Sequence, residues 1–185
     1  MAGGILKAAQ RLYRMAENYI VYADLEMRRL SSPDARGRLR SGSSGAADVQ
    51  AAAKEAATQD DRSADLEVDV EDVLVPITPI YLKKVVSELS DNAFKFSRPG
   101  TAVRVSLTAV GPGSLLEVVD HGRGMAADQV REVGAFQQFD RGRFEQQGSG
   151  VGLALVRSIT EAAGGRLEIN SRPAEGTTVR IHWPA

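Results

Sequence analysis

Two glycine clusters constrain this chain more than anything else in it. They are Asp120-His121-Gly122-Arg123-Gly124-Met125 and Gly148-Ser149-Gly150-Val151-Gly152-Leu153. Before the first runs Ser114-Leu115-Leu116-Glu117-Val118-Val119, a short apolar stretch bounded by Gly113 that reads as a buried strand. After the second, Leu153 to Thr160 carries apolar residues at helical spacing. One cluster therefore leaves a strand and the other opens a helix. Glycine has no Cβ and accepts positive φ, so a ligand can lie directly against such backbone. A helix N-terminus offers unpaired N–H groups and the positive end of the macrodipole, which suits a phosphate chain. Asp120, when ionised, is an acceptor-only carboxylate able to take a hydrogen bond from an amino group such as the exocyclic amine of adenine. Each cluster alone reads equally well as a tight surface turn. No Gly-x-x-x-x-Gly-Lys-Ser/Thr run is present, and Gln146-Gln147, not a strand, precede Gly148. A P-loop and a dinucleotide fingerprint are thereby excluded.

Composition narrows the class. The chain has 185 residues, 43% of them apolar, and a net charge of −1. That suits one globular domain of about 120–150 residues with an attachment. There are no cysteines, which excludes disulfides and thiolate metal sites, and two histidines argue against a histidine-rich metal site. No apolar run is long enough to span a membrane, and the start Met1-Ala2-Gly3-Gly4 has no signal-peptide pattern, so a cytoplasmic location is expected. Near-neutral charge argues against nucleic acid as a partner. Residues 1–45 carry 8 basic and 4 acidic side chains, residues 46–75 carry 2 and 9, and residues 76–185 carry 13 and 11. A basic arm, an acidic connector and a neutral body imply separate structural parts.

In chain order, residues 5–30 read as one helix of about 39 Å. Ile5, Leu12, Met15, Tyr19 and Tyr22 form one apolar stripe; Ala9, Ala16, Ile20, Ala23, Met27 and Leu30 form its neighbour. A stripe this broad calls for more than one partner helix, as in a bundle or a homodimer arm. Residues 31–45, rich in Ser, Gly and Arg, read as a flexible linker. Residues 46–62 form a second helix, Leu66, Val68 and Val70 alternate as a half-exposed strand, and Val73-Leu74-Val75 reads as a further short strand. Thr78 and Pro79 occupy N-cap and N1 of a helix running to about Phe96, which Arg98-Pro99-Gly100 ends. On it Glu88, Asn92 and Lys95 share a stripe at i, i+4 and i+7. Such a stripe suits a Mg²⁺ ion held through oxygen ligands, or equally a solvated face with an Asp91–Lys95 pair. Strands follow over Ala102–Ala109 and Ser114–Val119, then Arg166–Ser171 and Thr177–Trp183. The body is a layer of helices on a mixed, mainly antiparallel sheet.

These residues carry a family resemblance. Glu88-Leu89-Ser90-Asp91-Asn92-Ala93-Phe94-Lys95-Phe96 resembles the N box of the histidine-kinase branch of the GHKL ATPases. Asp120-His121-Gly122-Arg123-Gly124 resembles the G1 box, Phe136-Gln137-Gln138-Phe139-Asp140-Arg141 the F box, and Gly148 to Leu153 the G2 box. Gly176-Thr177-Thr178-Val179 is similar to the closing Thr-containing strand. One box alone is weak; five in order, over residues 46–185, are specific. The resemblance implies a Bergerat α/β sandwich preceded by a long helix, with ATP and Mg²⁺ bound between helices and sheet. It implies that Asp120 bonds the adenine amine with Thr177 in support through water, and that Gly122 and Gly124 let the loop approach the nucleotide. It implies that Asn92 ligates Mg²⁺, that Glu88 is the polarising base, and that Lys95 and Arg141 meet phosphate oxygens. Residues 126–147 are expected to be a lid in which Phe136 and Phe139 dock on closure. Gly148, Gly150, Gly152 and Leu153 open the helix that receives the phosphates.

Residues 1–30, through Arg11-Leu12 and Glu17-Asn18-Tyr19, resemble the second helix of a dimerisation and phosphoacceptor hairpin. The first hairpin helix, with its histidine, is not found. The implied function is the ATP-binding catalytic domain of a sensor histidine kinase. It donates its phosphoryl group to a histidine on a helix outside this chain and serves a response-regulator receiver. An anti-sigma-type serine kinase and a nucleotide-sensing module without turnover are the alternatives.

Overall fold

The computed structural model describes residues 43–134 and 151–185, together with residues 9, 12–13, 16–25 and 27. Five strands form one sheet: β1 (Leu66–Val70), β2 (Val103–Val110), β3 (Gly113–Asp120), β4 (Arg166–Arg172) and β5 (Gly176–Trp183). Their order is β1-β2-β3-β5-β4, parallel between β1 and β2 and antiparallel elsewhere. Four labelled helices accompany them: α1 (Ala46–Gln59), α2 (Pro79–Phe96), α3 (Ala127–Gly134) and α4 (Val151–Ala162). The expected helical layer on a mixed, mainly antiparallel sheet is what the chain forms.

The sheet has one apolar face, and strand alternation decides which residues reach it. Across the middle of the sheet, Val68, Val105, Val118, Val179 and Ile169 are in register, as are Val70, Leu107, Leu116, Ile181 and Leu167 one rung on. These meet Leu82, Val85, Val86 and Leu89 of α2 and Leu155, Val156 and Ile159 of α4 in one core. β3 departs from the expected fully buried strand. Ser114, Leu116, Val118 and Asp120 are buried, whereas the residues between them are half-exposed. The described helices cover one side of the sheet, so a run of apolar residues is divided between the two faces.

Other boundaries are set locally. α2 begins as expected, with Pro79 at N1 and an extended Thr78 at N-cap, although the Thr78 hydroxyl makes no capping bond. At α1 the Asp48 carboxylate accepts the Gly45 N–H at 3.0 Å, a reciprocal cap that needs no side chain at Gly45. Val73–Val75 is not a strand; Val75 makes a single antiparallel bridge with Ser44, whose hydroxyl also donates to Ile77 O. Within the region expected to be a lid, α3 is a regular helix.

Residues 16–25 are helical and lie against the domain. Leu25 is buried in the common core, with Val21 and Tyr22 packed beside it, and Asn18 is buried on the same face. The Tyr81 hydroxyl donates to Asp24 Oδ2 at 3.4 Å. The inward face is thus Asn18, Val21, Tyr22 and Leu25, and of these only Tyr22 lies on a stripe named from the sequence. Leu12, Tyr19, Ile20 and Met27 from those stripes are exposed. Apolar periodicity locates a helix, but when most faces carry apolar residues it does not say which one the domain takes.

Candidate functional site

α2 lies between the two glycine clusters and touches each. Near its middle, the Glu88 side chain occupies the space where a Cβ on Gly152 would stand, so the first turn of α4 rests on Glu88. At its end, the Phe96 carbonyl fills the space of a Cβ on Gly122 and accepts the Arg123 N–H at 3.1 Å. Glu88 and Phe96 are separated by about 12 Å of helix. Glu88 is buried, Asn92 half-buried and Lys95 exposed, so the stripe runs from the interior outward. Glu88 Oε1 lies 3.2 Å from Lys84 Nζ one turn back and, among the described residues, has no hydrogen-bond donor besides that ion pair.

At the far end, Asp120 terminates β3 as a buried carboxylate. Burial pushes its carboxyl above the ordinary 3.8, against the backbone N–H groups of Gly122 and Thr177, which pull it down. The Gly122 N–H donates to Asp120 Oδ1 at 2.8 Å. Thr177 is the register partner of Asp120, and Ser171 that of Thr177, so the three share one face of the sheet in adjacent strands. A hollow of about 370 Å³ opens at this end of the sheet on the opposite face, where Val119, His121, Asn170, Arg172 and Thr178 line it and no residue of α2 does.

The loop after Asp120 is tied on both sides. Ala174 N donates to Arg123 O at 2.8 Å, and Met125 N donates to Ser171 Oγ at 2.8 Å. Gly124 has φ +62°, and a Cβ there would overlap Arg172 O. A Cβ on Gly176, at φ +100°, would overlap Asp120 O. The protein's own backbone therefore already demands the absence of side chains at Gly122, Gly124 and Gly176. The Arg123 guanidinium stacks over the Phe96 ring, 4.4 Å from its centre.

Of the residues expected at the site, the structure brings Glu88, Gly152 and Leu153 together around the start of α4. It gathers Asp120, Gly122, Gly124 and Thr177 at the sheet end, and α2 carries Asn92 and Lys95 between the two groups. Arg141, Gly148 and Gly150, with Phe136 and Phe139, lie outside the described residues.

Sequence reasoning missed three participants. Lys84 pairs with Glu88, and i, i+4 spacing could have found it. Ser171 could have been found from alternation with Ile169, which places it on the inner face. Arg62 has a local signal only in its i, i+3 partner Asp65, which does not reveal its main role. Its buried guanidinium donates to Phe94 O (2.8 Å), Ser97 O (3.2 Å), Ser97 Oγ (2.9 Å), Arg98 O (2.7 Å) and Thr101 O (3.0 Å). It thereby satisfies the orphan carbonyls at the end of α2 and the turn behind it. Its Nε donates to Asp65 at 2.6 Å, and this bond holds the Asp65 carboxyl below its ordinary range.

Among the described residues, no group of three or more His, Cys, Asp or Glu could hold a metal. A magnesium ion carried by phosphate oxygens and water asks less of the protein, and one side-chain amide oxygen such as that of Asn92 fits that need.

Comparison with known proteins gives the family. The family described as histidine kinase-, DNA gyrase B-, and HSP90-like ATPase matches residues 77–185. The chain is 36% identical over 106 residues to the histidine protein kinase DivJ of Caulobacter vibrioides, covering 56% of this chain and 17% of that protein. It is 36% identical over 112 residues to the probable sensor histidine kinase TcrY of Mycobacterium tuberculosis, covering 58% and 23%. The chain thus spans under a quarter of the length of these relatives. The solved structure of the mycobacterial sensor histidine kinase MprB superposes with a TM-score of 0.65 at 28% identity, over 77% of this chain and 95% of that one. Acinetobacter baumannii histidine kinase AdeS shares the fold, with a TM-score of 0.70 at 20% identity over 98% and 82%.

Proposed function

This chain belongs to the histidine kinase-, DNA gyrase B-, and HSP90-like ATPase family, and on that premise we propose that residues 46–185 form an Mg-ATP-binding catalytic domain that phosphorylates a histidine. One observation carries the reading: α2 places the Glu88, Asn92 and Lys95 stripe between a buried carboxylate at Asp120 and the first turn of α4. The relatives named above are histidine kinases, which gives the serine-kinase alternative no support.

Ionised Asp120 accepts a hydrogen bond from the adenine amine, with Thr177 beside it. The phosphate chain then runs along α2 toward α4, whose N-terminal dipole favours its negative charge. Asn92 would hold a magnesium ion, which when bound would neutralise part of the phosphate charge. Lys95 and Arg141 meet phosphate oxygens, and Gly148, Gly150, Gly152 and Leu153 shape the phosphate end. Glu88 accepts the N–H of the incoming imidazole and so directs its other nitrogen at the γ-phosphorus. A bond from that nitrogen to phosphorus forms as the bond to the β–γ bridging oxygen breaks, and ADP leaves. Positioning and charge neutralisation supply most of the acceleration.

The acceptor histidine belongs to a helix outside this chain, and a response-regulator receiver is the next partner in the transfer. Residues 5–30 pair two copies through the exposed side of their helix, where Leu12, Tyr13, Ile20 and Met27 stand. The setting is the cytoplasm; no helix among the described residues is long and apolar enough to cross a membrane. Calorimetry with ATP and Mg²⁺ tests the binding. Incubation with labelled ATP and a polypeptide bearing the histidine helix tests the transfer. Failure of ATP to bind would overturn the proposal.

A further inference from the structure

We propose that Ser171 fixes the hydroxyl proton of Thr177 and is a positioning residue for base selectivity. The proposal rests on the nucleotide-binding reading given above and deepens it.

The reasoning is a count of protons. Ser171 Oγ has three close partners: Met125 N at 2.8 Å, Gly176 O at 2.8 Å and Thr177 Oγ1 at 3.0 Å. A hydroxyl has one proton and two lone pairs. Met125 N can only donate, so it uses one lone pair of Ser171. Gly176 O can only accept, so it takes the one Ser171 proton. The contact with Thr177 then closes only if Thr177 is the donor and Ser171 the acceptor. Every bonding capacity of Ser171 is used, and the Thr177 proton is turned toward β4.

The consequence falls on the adenine end of the proposed site. With its proton committed to Ser171, Thr177 Oγ1 can act toward a ligand only as an acceptor. Asp120, its register partner, is also an acceptor when ionised. These two groups on one face of the sheet therefore both call for a donor, as an amino group at position 6 of a purine is. A 6-oxo purine presents an acceptor to both and is disfavoured. Had Thr177 been free to rotate, it could donate to that oxygen and soften the discrimination. Ser171 touches no ligand in this account and acts through Thr177.

The test is the ratio of ATP to GTP affinity, measured by calorimetry with Mg²⁺. Wild type should prefer ATP. Ser171→Ala frees the Thr177 hydroxyl, and the preference should shrink about 3- to 10-fold, the worth of one neutral hydrogen bond. Ser171→Cys, with a thiol that bonds weakly, should move the ratio the same way and serves if the alanine variant folds poorly. In a Thr177→Val background, Ser171→Ala should leave the ratio unchanged. Loss of structure alone would weaken both nucleotides together and spare the ratio. If wild type binds neither nucleotide, the function proposed above fails. If wild type prefers ATP and both Ser171 variants keep that preference intact, only the Ser171 assignment fails.

Discussion

Gly152, in the first turn of α4, rests directly on the Glu88 side chain of α2, leaving no room for a Cβ between them. A carboxylate of one helix thus lies against the first turn of another. Gly152→Ala should displace the Glu88 carboxylate, the atom a Cβ there would overlap. Because that atom ends a flexible side chain, the stability cost should stay small, under about 1 kcal/mol, at the mild end of overpacking. The measurable loss should fall on phosphoryl transfer, which by the proposed function needs Glu88 in place. A Gly152→Ala variant with wild-type transfer to a supplied histidine helix would contradict the assignment.

Asp120→Asn replaces a carboxylate by an amide and removes one charge-assisted bond. ATP affinity should drop by roughly 1.5–3 kcal/mol, about 10- to 150-fold, in calorimetry. An unchanged affinity would remove Asp120 from the adenine end.

The Asp120 carboxyl titrates above its ordinary 3.8 because it is buried. Two effects of opposite sign follow. The folded pKa is raised, so the neutral acid stabilises the free protein at pH below 3.8, and that contribution is lost as pH rises through the folded value. ATP binding needs the ionised form, so affinity should increase over the same window. Melting curves with and without ATP, taken from pH 3.8 upward, should diverge. Asp120→Asn should remove this group's contribution from both.

Arg62→Ala should be among the most damaging single changes away from the hollow. It leaves the carbonyls of Phe94, Ser97, Arg98 and Thr101 without their buried donor. A loss on the order of 3 kcal/mol is expected. Arg62→Lys should recover little of it, since an ammonium cannot reproduce the planar fork. Urea unfolding of both variants checks this.

Histidine phosphorylation within this chain should be absent. His121 follows Asp120 directly, which puts it at the adenine end by the proposed function, far from the γ-phosphate. His182 lies on β5 opposite Leu115 and Arg166, on the sheet face away from the core. Transfer requires a nucleophile about 3–3.5 Å from phosphorus. Incubation with γ-labelled ATP should give acid-labile label only when a separate histidine helix is supplied.

Much of this chain was legible before any coordinates. Glycine and aspartate declare themselves locally, because positive φ, a missing Cβ and an acceptor-only side chain are properties of single residues. Alternation in Leu66–Val70 and the Thr78-Pro79 start of α2 are equally local, since strand and helix periods act over a few residues. The order of the motifs then pointed to the family, and with it to a helical layer on a mixed sheet. Tertiary structure alone decided the rest. Ser171 meets Thr177 across the local β4–β5 hairpin, but only the order β1-β2-β3-β5-β4, which sets β5 against the much earlier β3, places Thr177 beside Asp120. Arg62 caps a helix that ends more than thirty positions later, and which face of residues 16–25 turns inward depends on the shape of the core it meets. These are long-range contacts. Their free energy is realised only after the chain has closed its loops, so no short window of sequence carries their signature.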